Sequence, residues 1–199
     1  MKKQSLKIKL SFTGALMPVA LFLTHSYLSL AALLAAALHE MGHIAVAKIC
    51  NIDLGELRLS IFGASLTPRS LLCSYKKEIL LCIAGPLVNL ISALLLAPLF
   101  DGASGFGGLF IRASLFLGLL NLLPIHELDG GRILFCLLSL RLSVGAATRI
   151  IKVISFALIF SLWCLSVYLL LRLSSSLSLF VFSLTLFSKI FLLHGENSC

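Results

Sequence analysis

Apolar positions run almost unbroken over 10–47, 78–100, 109–123, 151–171 and 176–193, and polar residues fall mainly between these runs. A bilayer-spanning helix takes about 20 residues, so the first run is too long for one span and sufficient for two, with Thr24-His25-Ser26 as the turn between them. The first of these two is short and carries Pro18. A glycine-rich loop from Asp101 to Gly108 separates the third run from the fourth, and Arg172 with a serine cluster separates the fifth from the sixth. Residues 50–72 break the pattern. There Leu54, Leu57, Leu59, Ile61 and Leu66 alternate in part with polar residues, while Gly55, Gly63 and Pro68 interrupt any helix, which predicts strand and turn. The expected fold is an all-α membrane protein, a polytopic bundle of about six transmembrane helices with a short strand-like cytoplasmic or re-entrant segment.

Composition supports this reading. The 199 residues are 59% hydrophobic and 12% charged, against roughly 45–50% and about 25% in soluble domains. Six spans use about 120 residues, and no remaining piece reaches the roughly 40 residues that a small independent domain needs. The expectation is one integral membrane domain over 1–199. The basic start followed by an apolar stretch imitates a secretory signal, but the run continues past Ala35-Ala36-Ala37, so the segment is read as a retained span.

The net charge of +8 changes the picture through its distribution. Thirteen of the sixteen Lys and Arg fall in three groups: Lys2, Lys3, Lys7 and Lys9; Lys48, Arg58, Arg69, Lys76 and Lys77; and Arg132, Arg141, Arg149 and Lys152. Six helices put all three groups on one side, which the positive-inside rule makes the cytoplasm, with both termini there. Clusters that flank apolar runs argue against a nucleic-acid partner and for a lipid bilayer. Cys50, Cys73, Cys82, Cys136, Cys164 and Cys199 contain no CxxC pair and read as small hydrophobes.

Candidate chemistry begins inside the second span, at His39-Glu40-Met41-Gly42-His43. On a helix the two histidines, four apart, project from one face and reach one cation, while Glu40 lies beside them within reach of a water. Glu40 is the only charged residue between Tyr27 and Ala47. An ionised side chain at the centre of a span costs about 2.5–3.5 kcal/mol on insertion scales, an unusual burden for an apolar helix without a use. A catalytic zinc takes three protein ligands and keeps one position open. The segment from Asn121 to Arg132 offers the third, with Asp129 and His126 as alternatives. Pro124 stops the preceding helix, and Gly130-Gly131 permits backbone angles that turn Asp129 toward a metal. Asp129, before a new helical run, also reads as a helix N-cap.

HEMGH in a membrane span, Ala84-Gly85-Pro86 with Asn89 in the next, and an N-x-x-P segment ending in Leu-Asp-Gly-Gly-Arg together resemble the site-two protease family of intramembrane zinc metalloproteases. The resemblance covers most of the chain. It implies Zn2+ as cofactor, His39, His43 and Asp129 as its ligands, Glu40 as catalytic base, and Asn121 as a catalytic polar residue near the substrate. With HExxH in the second of six spans and no PDZ domain between the motifs, the layout is similar to the stage IV sporulation FB branch. That branch processes a membrane-tethered pro-sigma factor in the mother-cell membrane around the forespore. Two departures from the branch are expected: no CBS domain, which the branch often carries after its last span, is expected beyond Leu193, and Glu127 stands where the pattern usually has proline.

The implied function is hydrolysis of a peptide bond of a membrane-tethered protein in or near the bilayer, with possible membrane regulatory proteins as further partners. Water would enter from the cytoplasmic side, with Asn89 lining that path or, more simply, hydrogen bonding between helices. A helical substrate must unwind before attack, and the strand-like segment from Leu57 to Leu66 is the natural place for it to pair as an added strand. The alternatives are a site-two protease acting on another membrane-bound regulator, or a metal transporter using His39, Glu40, His43 and Asp129. Transporters commonly repeat their broken helices in both halves, and the last two spans here hold no matching acidic residue or histidine.

Overall fold

The computed structural model describes residues 7–10, 27–52, 54–60, 63–68, 74–100 and 105–173. The first and sixth expected spans fall largely outside these residues. Contacts between Cα atoms divide the chain into two compact units, Met1–Leu123 and Pro124–Cys199.

The first unit holds strand β1 (Lys7–Leu10), helix α1 (Tyr27–Ile49), strands β2 (Leu54–Ser60) and β3 (Gly63–Pro68), helix α2 (Tyr75–Leu96) with a 3-10 turn at Ala97–Leu99, and helix α3 (Phe106–Asn121). The three helices pack on one another. Burial along α1 falls on Ser29, Ala31, Ala35, His39, Gly42, His43 and Ala47, and from Ala31 onward the stripe recurs about every four residues, as one face of a helix requires. Its counterpart on α2 is Leu81, Cys82, Ala84, Gly85, Pro86, Asn89 and Ala93, and α3 adds Gly108, Ser114 and Gly118. Large apolar side chains point outward instead: Met41 is 62% exposed, Leu94 74% and Phe116 60%. Small residues inside and large apolar ones outside is the arrangement of helices that associate within lipid.

Helix α1 ends at a turn in which Asn51 takes φ 49°. The Ile52 N–H then reaches the Ala47 carbonyl at 2.9 Å, closing the helix by a left-handed C-terminal cap. Ala47, Ile52 and Leu81 pack together there with Cys50 against them, and Lys77 Nζ donates to the Cys50 carbonyl at 3.2 Å. These contacts fix the end of α1 against the start of α2. The strands form one sheet in the order β1-β2-β3, with β1 parallel to β2 and β2 antiparallel to β3. The central strand β2 therefore has both edges occupied, and the outer edges belong to β1 and β3.

The second unit holds α4 (Asp129–Ser139) and α5 (Val144–Leu173), packed on each other. Ala147, Ile151, Ser155 and Ile159 are buried at intervals of four along α5. Among the described residues, Tyr27–Ile49, Tyr75–Leu99 and Val144–Leu169 are long and apolar enough to cross a bilayer, and Phe106–Asn121 is a shorter apolar helix.

Candidate metal centre

His39 and His43 continue the alanine stripe of α1, so the face that packs α1 into the unit also presents both imidazoles inward. Both are buried, at 5% and 6% exposure. Their Nε2 atoms lie 3.1 Å apart, with the rings edge to face. His43 Nδ1 is 2.7 Å from the Leu81 carbonyl. A carbonyl only accepts, so this nitrogen carries the proton and His43 Nε2 keeps its lone pair. His39 Nδ1 meets the side-chain amide of Asn89 at 3.4 Å.

This pair fits a cation. Two imidazole nitrogens on a tetrahedral zinc, with bonds of about 2.0–2.1 Å, stand about 3.3 Å apart, close to the separation found here. Space is kept for them by Gly85, where an added Cβ would overlap the His43 ring and stand 2.8 Å from His39 Nε2. Gly85→Ala should therefore displace both imidazoles while leaving α2 helical. The expected result is metal binding weakened by about 10- to 100-fold, the range seen when the surroundings of a metal ligand are disturbed. Chelator competition on the purified variant measures it, and parental affinity would show that the rings have room to spare.

Glu40 follows His39 on α1 and is partly buried. Asn121 closes α3, and its Nδ2 donates to the Leu117 carbonyl at 2.9 Å, so the amide nitrogen is held within its own helix. In the second unit, Asp129 is the first residue of α4 and is partly buried. The expected cap shifts by one position: the N-cap is Leu128, in extended conformation. The glycines also act differently from expectation. Among the described residues only Gly105 is a glycine with positive φ, and Gly130 and Gly131 lie in the first turn of α4. Gly131 is needed for close approach instead, because a Cβ there would run into the Ile125 carbonyl.

The segment before α4 is held from within its own unit. Ile125 is fully buried, Leu128 N–H donates to the Ile125 carbonyl at 2.8 Å, and His126 N–H donates to Ser155 Oγ of α5 at 2.8 Å. The His126 side chain points outward, 47% exposed, with Nδ1 3.7 Å from Glu127 Oε1. Sequence reasoning missed the Leu81 carbonyl, which no side-chain pattern reveals, and gave Gly85 no role beyond its motif.

The family model described as Peptidase family M50 matches residues 27–106 and 100–165. A zinc metalloprotease of Methanocaldococcus jannaschii is 34% identical over 120 residues, covering 57% of this chain and 34% of that protein. Stage IV sporulation protein FB of Bacillus subtilis is 31% identical over 166 residues, covering 78% of this chain and 56% of that protein. The chain thus spans about a third of the length of the one and just over half of the other. The solved structure of a site-2 protease from Methanocaldococcus jannaschii is similar with a TM-score of 0.67 at 26% identity, over 96% of this chain and 92% of that one.

Proposed function

This chain belongs to peptidase family M50, and from that premise we propose that it is an intramembrane zinc endopeptidase hydrolysing a peptide bond of a membrane-tethered protein in or near the bilayer. The observation that carries the reading is the buried His39–His43 pair, its Nε2 atoms 3.1 Å apart on an apolar helix that also bears Glu40. His39, His43 and Asp129 hold the zinc in this reading. The His126 side chain, half exposed beside Glu127, is the weaker choice of third ligand, because a ligand loses its surrounding water and needs a fixed direction.

Zinc, when bound, acts as a Lewis acid on the scissile carbonyl and acidifies water. The remaining work belongs to the chain. Glu40 Oε takes the proton of the attacking water and returns it to the leaving amine. Asn121 donates to the developing oxyanion through the second N–H of Nδ2, the first being given to the Leu117 carbonyl. The small-residue faces of α1, α2 and α3 keep lipid away from the imidazoles. An unwound substrate strand pairs at an outer edge of the sheet, on β3 or β1, since β2 has a neighbour on each side. That pairing satisfies backbone groups whose exposure in lipid costs several kcal/mol each.

The likeness to stage IV sporulation protein FB over 78% of this chain supports a sporulation role, with a pro-sigma factor as the membrane-tethered substrate and the mother-cell membrane as its place. Both termini and the three basic clusters lie on the cytoplasmic side in this reading. Metal transport is disfavoured, because α5 carries no histidine or acidic residue to match those of α1. The test is cleavage in proteoliposomes of a membrane-tethered pro-sigma fragment by the purified chain. A chelator should stop release of the cytoplasmic product and added zinc restore it. Chelator-insensitive cleavage would overturn the metalloprotease reading. Absence of product from this fragment, with cleavage of another membrane-tethered regulator, would overturn the sporulation role alone.

A further inference from the structure

We propose that Asn89 is a positioning residue whose side-chain amide sets the tautomer of His39, and so decides whether the Nε2 lone pair faces a cation. The inference rests on the zinc reading and deepens it. Asn89 is fully buried on α2, and its amide lies 3.4 Å from His39 Nδ1 through Nδ2. Its Oδ1 is buried with no hydrogen-bond partner among the described residues. A buried amide oxygen left without a donor is costly, and here the adjacent ring offers one.

With the Asn89 amide nitrogen turned toward His39, one proton pattern gives a continuous donor chain through the pair. Asn89 Nδ2–H donates to His39 Nδ1, His39 Nε2–H donates to His43 Nε2, and His43 Nδ1–H donates to the Leu81 carbonyl. In that pattern every ring nitrogen is matched and the 3.1 Å contact between the two Nε2 atoms is a hydrogen bond, whereas with both Nε2 unprotonated the same separation suits two ligands of one cation. That tautomer of His39 cannot bind a metal through Nε2. Rotating the Asn89 amide by half a turn places Oδ1 where Nδ2 was, since the two ends are nearly the same size. Oδ1 then accepts from His39 Nδ1–H, the ring proton moves from Nε2 to Nδ1, and both Nε2 lone pairs converge on one point. Histidine ligands generally donate their other ring N–H to a carbonyl or carboxylate, which fixes the ring and raises its basicity. Leu81 supplies that partner for His43, and Asn89 supplies it for His39. The amide thus supports two arrangements of one pair: a hydrogen-bonded one without metal and a ligating one with it.

Two variants and two readouts test this. Asn89→Asp can only accept, so it should hold His39 in the Nδ1–H form and keep zinc affinity within a few-fold of the parent. Asn89→Leu fills the space without an acceptor, and its zinc affinity by chelator competition should fall by about 10- to 100-fold. Nitrogen-15 NMR of labelled histidine in detergent is the second readout and works without metal. His43 should stay protonated on Nδ1 in every variant, held by the Leu81 carbonyl, while the His39 signals should move toward protonated Nδ1 in Asn89→Asp. Parental zinc affinity in Asn89→Leu would overturn the proposal, as would an Asp variant as weak as the Leu one, or His39 signals indifferent to position 89. If the parent binds no zinc while the His39 signals respond as described, the metal reading fails and the control of the tautomer by Asn89 stands.

Discussion

Glu40→Gln should keep its zinc, melt in detergent like the parent and still capture a membrane-tethered substrate, yet release the cytoplasmic fragment about 10²- to 10⁴-fold more slowly, the usual worth of general acid and base catalysis. The substitution is nearly isosteric and retains a hydrogen-bonding group, so the packing of α1 has no reason to change. What disappears is the basic carboxylate beside two buried imidazoles. Gln places a neutral polar group where Glu stood, so a loss of stability is not expected to accompany the loss of rate. The result separates function classes. A metal transporter would pass ions in vesicles and yield no peptide product, and a chaperone-like relative would keep its effect on the substrate in the Gln variant. Parental cutting by the Gln variant of a purified substrate would sink the mechanism.

The histidine pair was legible in the sequence because a helix makes positions four apart share a face. Ala31, Ala35, His39, His43 and Ala47 already mark that face as small and inward. Asn89 was visible as a polar residue in an apolar run, but its partner was not, because meeting His39 across 50 positions depends on how α1 and α2 pack. The strand Lys7–Leu10 shows a different failure. Lys-Ile-Lys-Leu alternates with period two, yet its lysines also flank an apolar run, and the topological meaning of the charges was read at the expense of the strand pattern. Likewise α5 begins at Val144, seven residues before the expected span, because Arg149 interrupts the apolar run and so reads as a loop charge. Long basic side chains near the end of a spanning helix can carry their charge outward to water, so they need not end it. The glycines before Arg132 were assigned to unusual backbone angles when the requirement is close approach to Ile125, a distinction that only coordinates make.

Zinc content should separate Asp129 from His126 as the third ligand. Asp129→Ala should lose bound zinc and cleavage, as His39→Ala and His43→Ala should, because a site of three protein ligands falls to two. His126→Ala should retain both, since that side chain is half exposed beside Glu127 while its backbone N–H, untouched by the substitution, keeps Ser155 Oγ. Asp129 has a structural contribution to separate from ligation. As the first residue of α4 its carboxylate faces the positive end of the helix dipole, worth about 0.3–1 kcal/mol, so Asp129→Ala could lose metal merely by fraying α4. Asp129→Glu answers this, because it keeps the charge at the helix start but moves the oxygen atoms by one methylene. If Asp129 ligates, the Glu variant should preserve metal-free melting and still bind zinc more weakly than the parent. If it only steadies the helix, zinc binding should be unchanged in Asp129→Glu. Loss of metal in His126→Ala, with full retention in both Asp129 variants, would transfer the third ligand to His126.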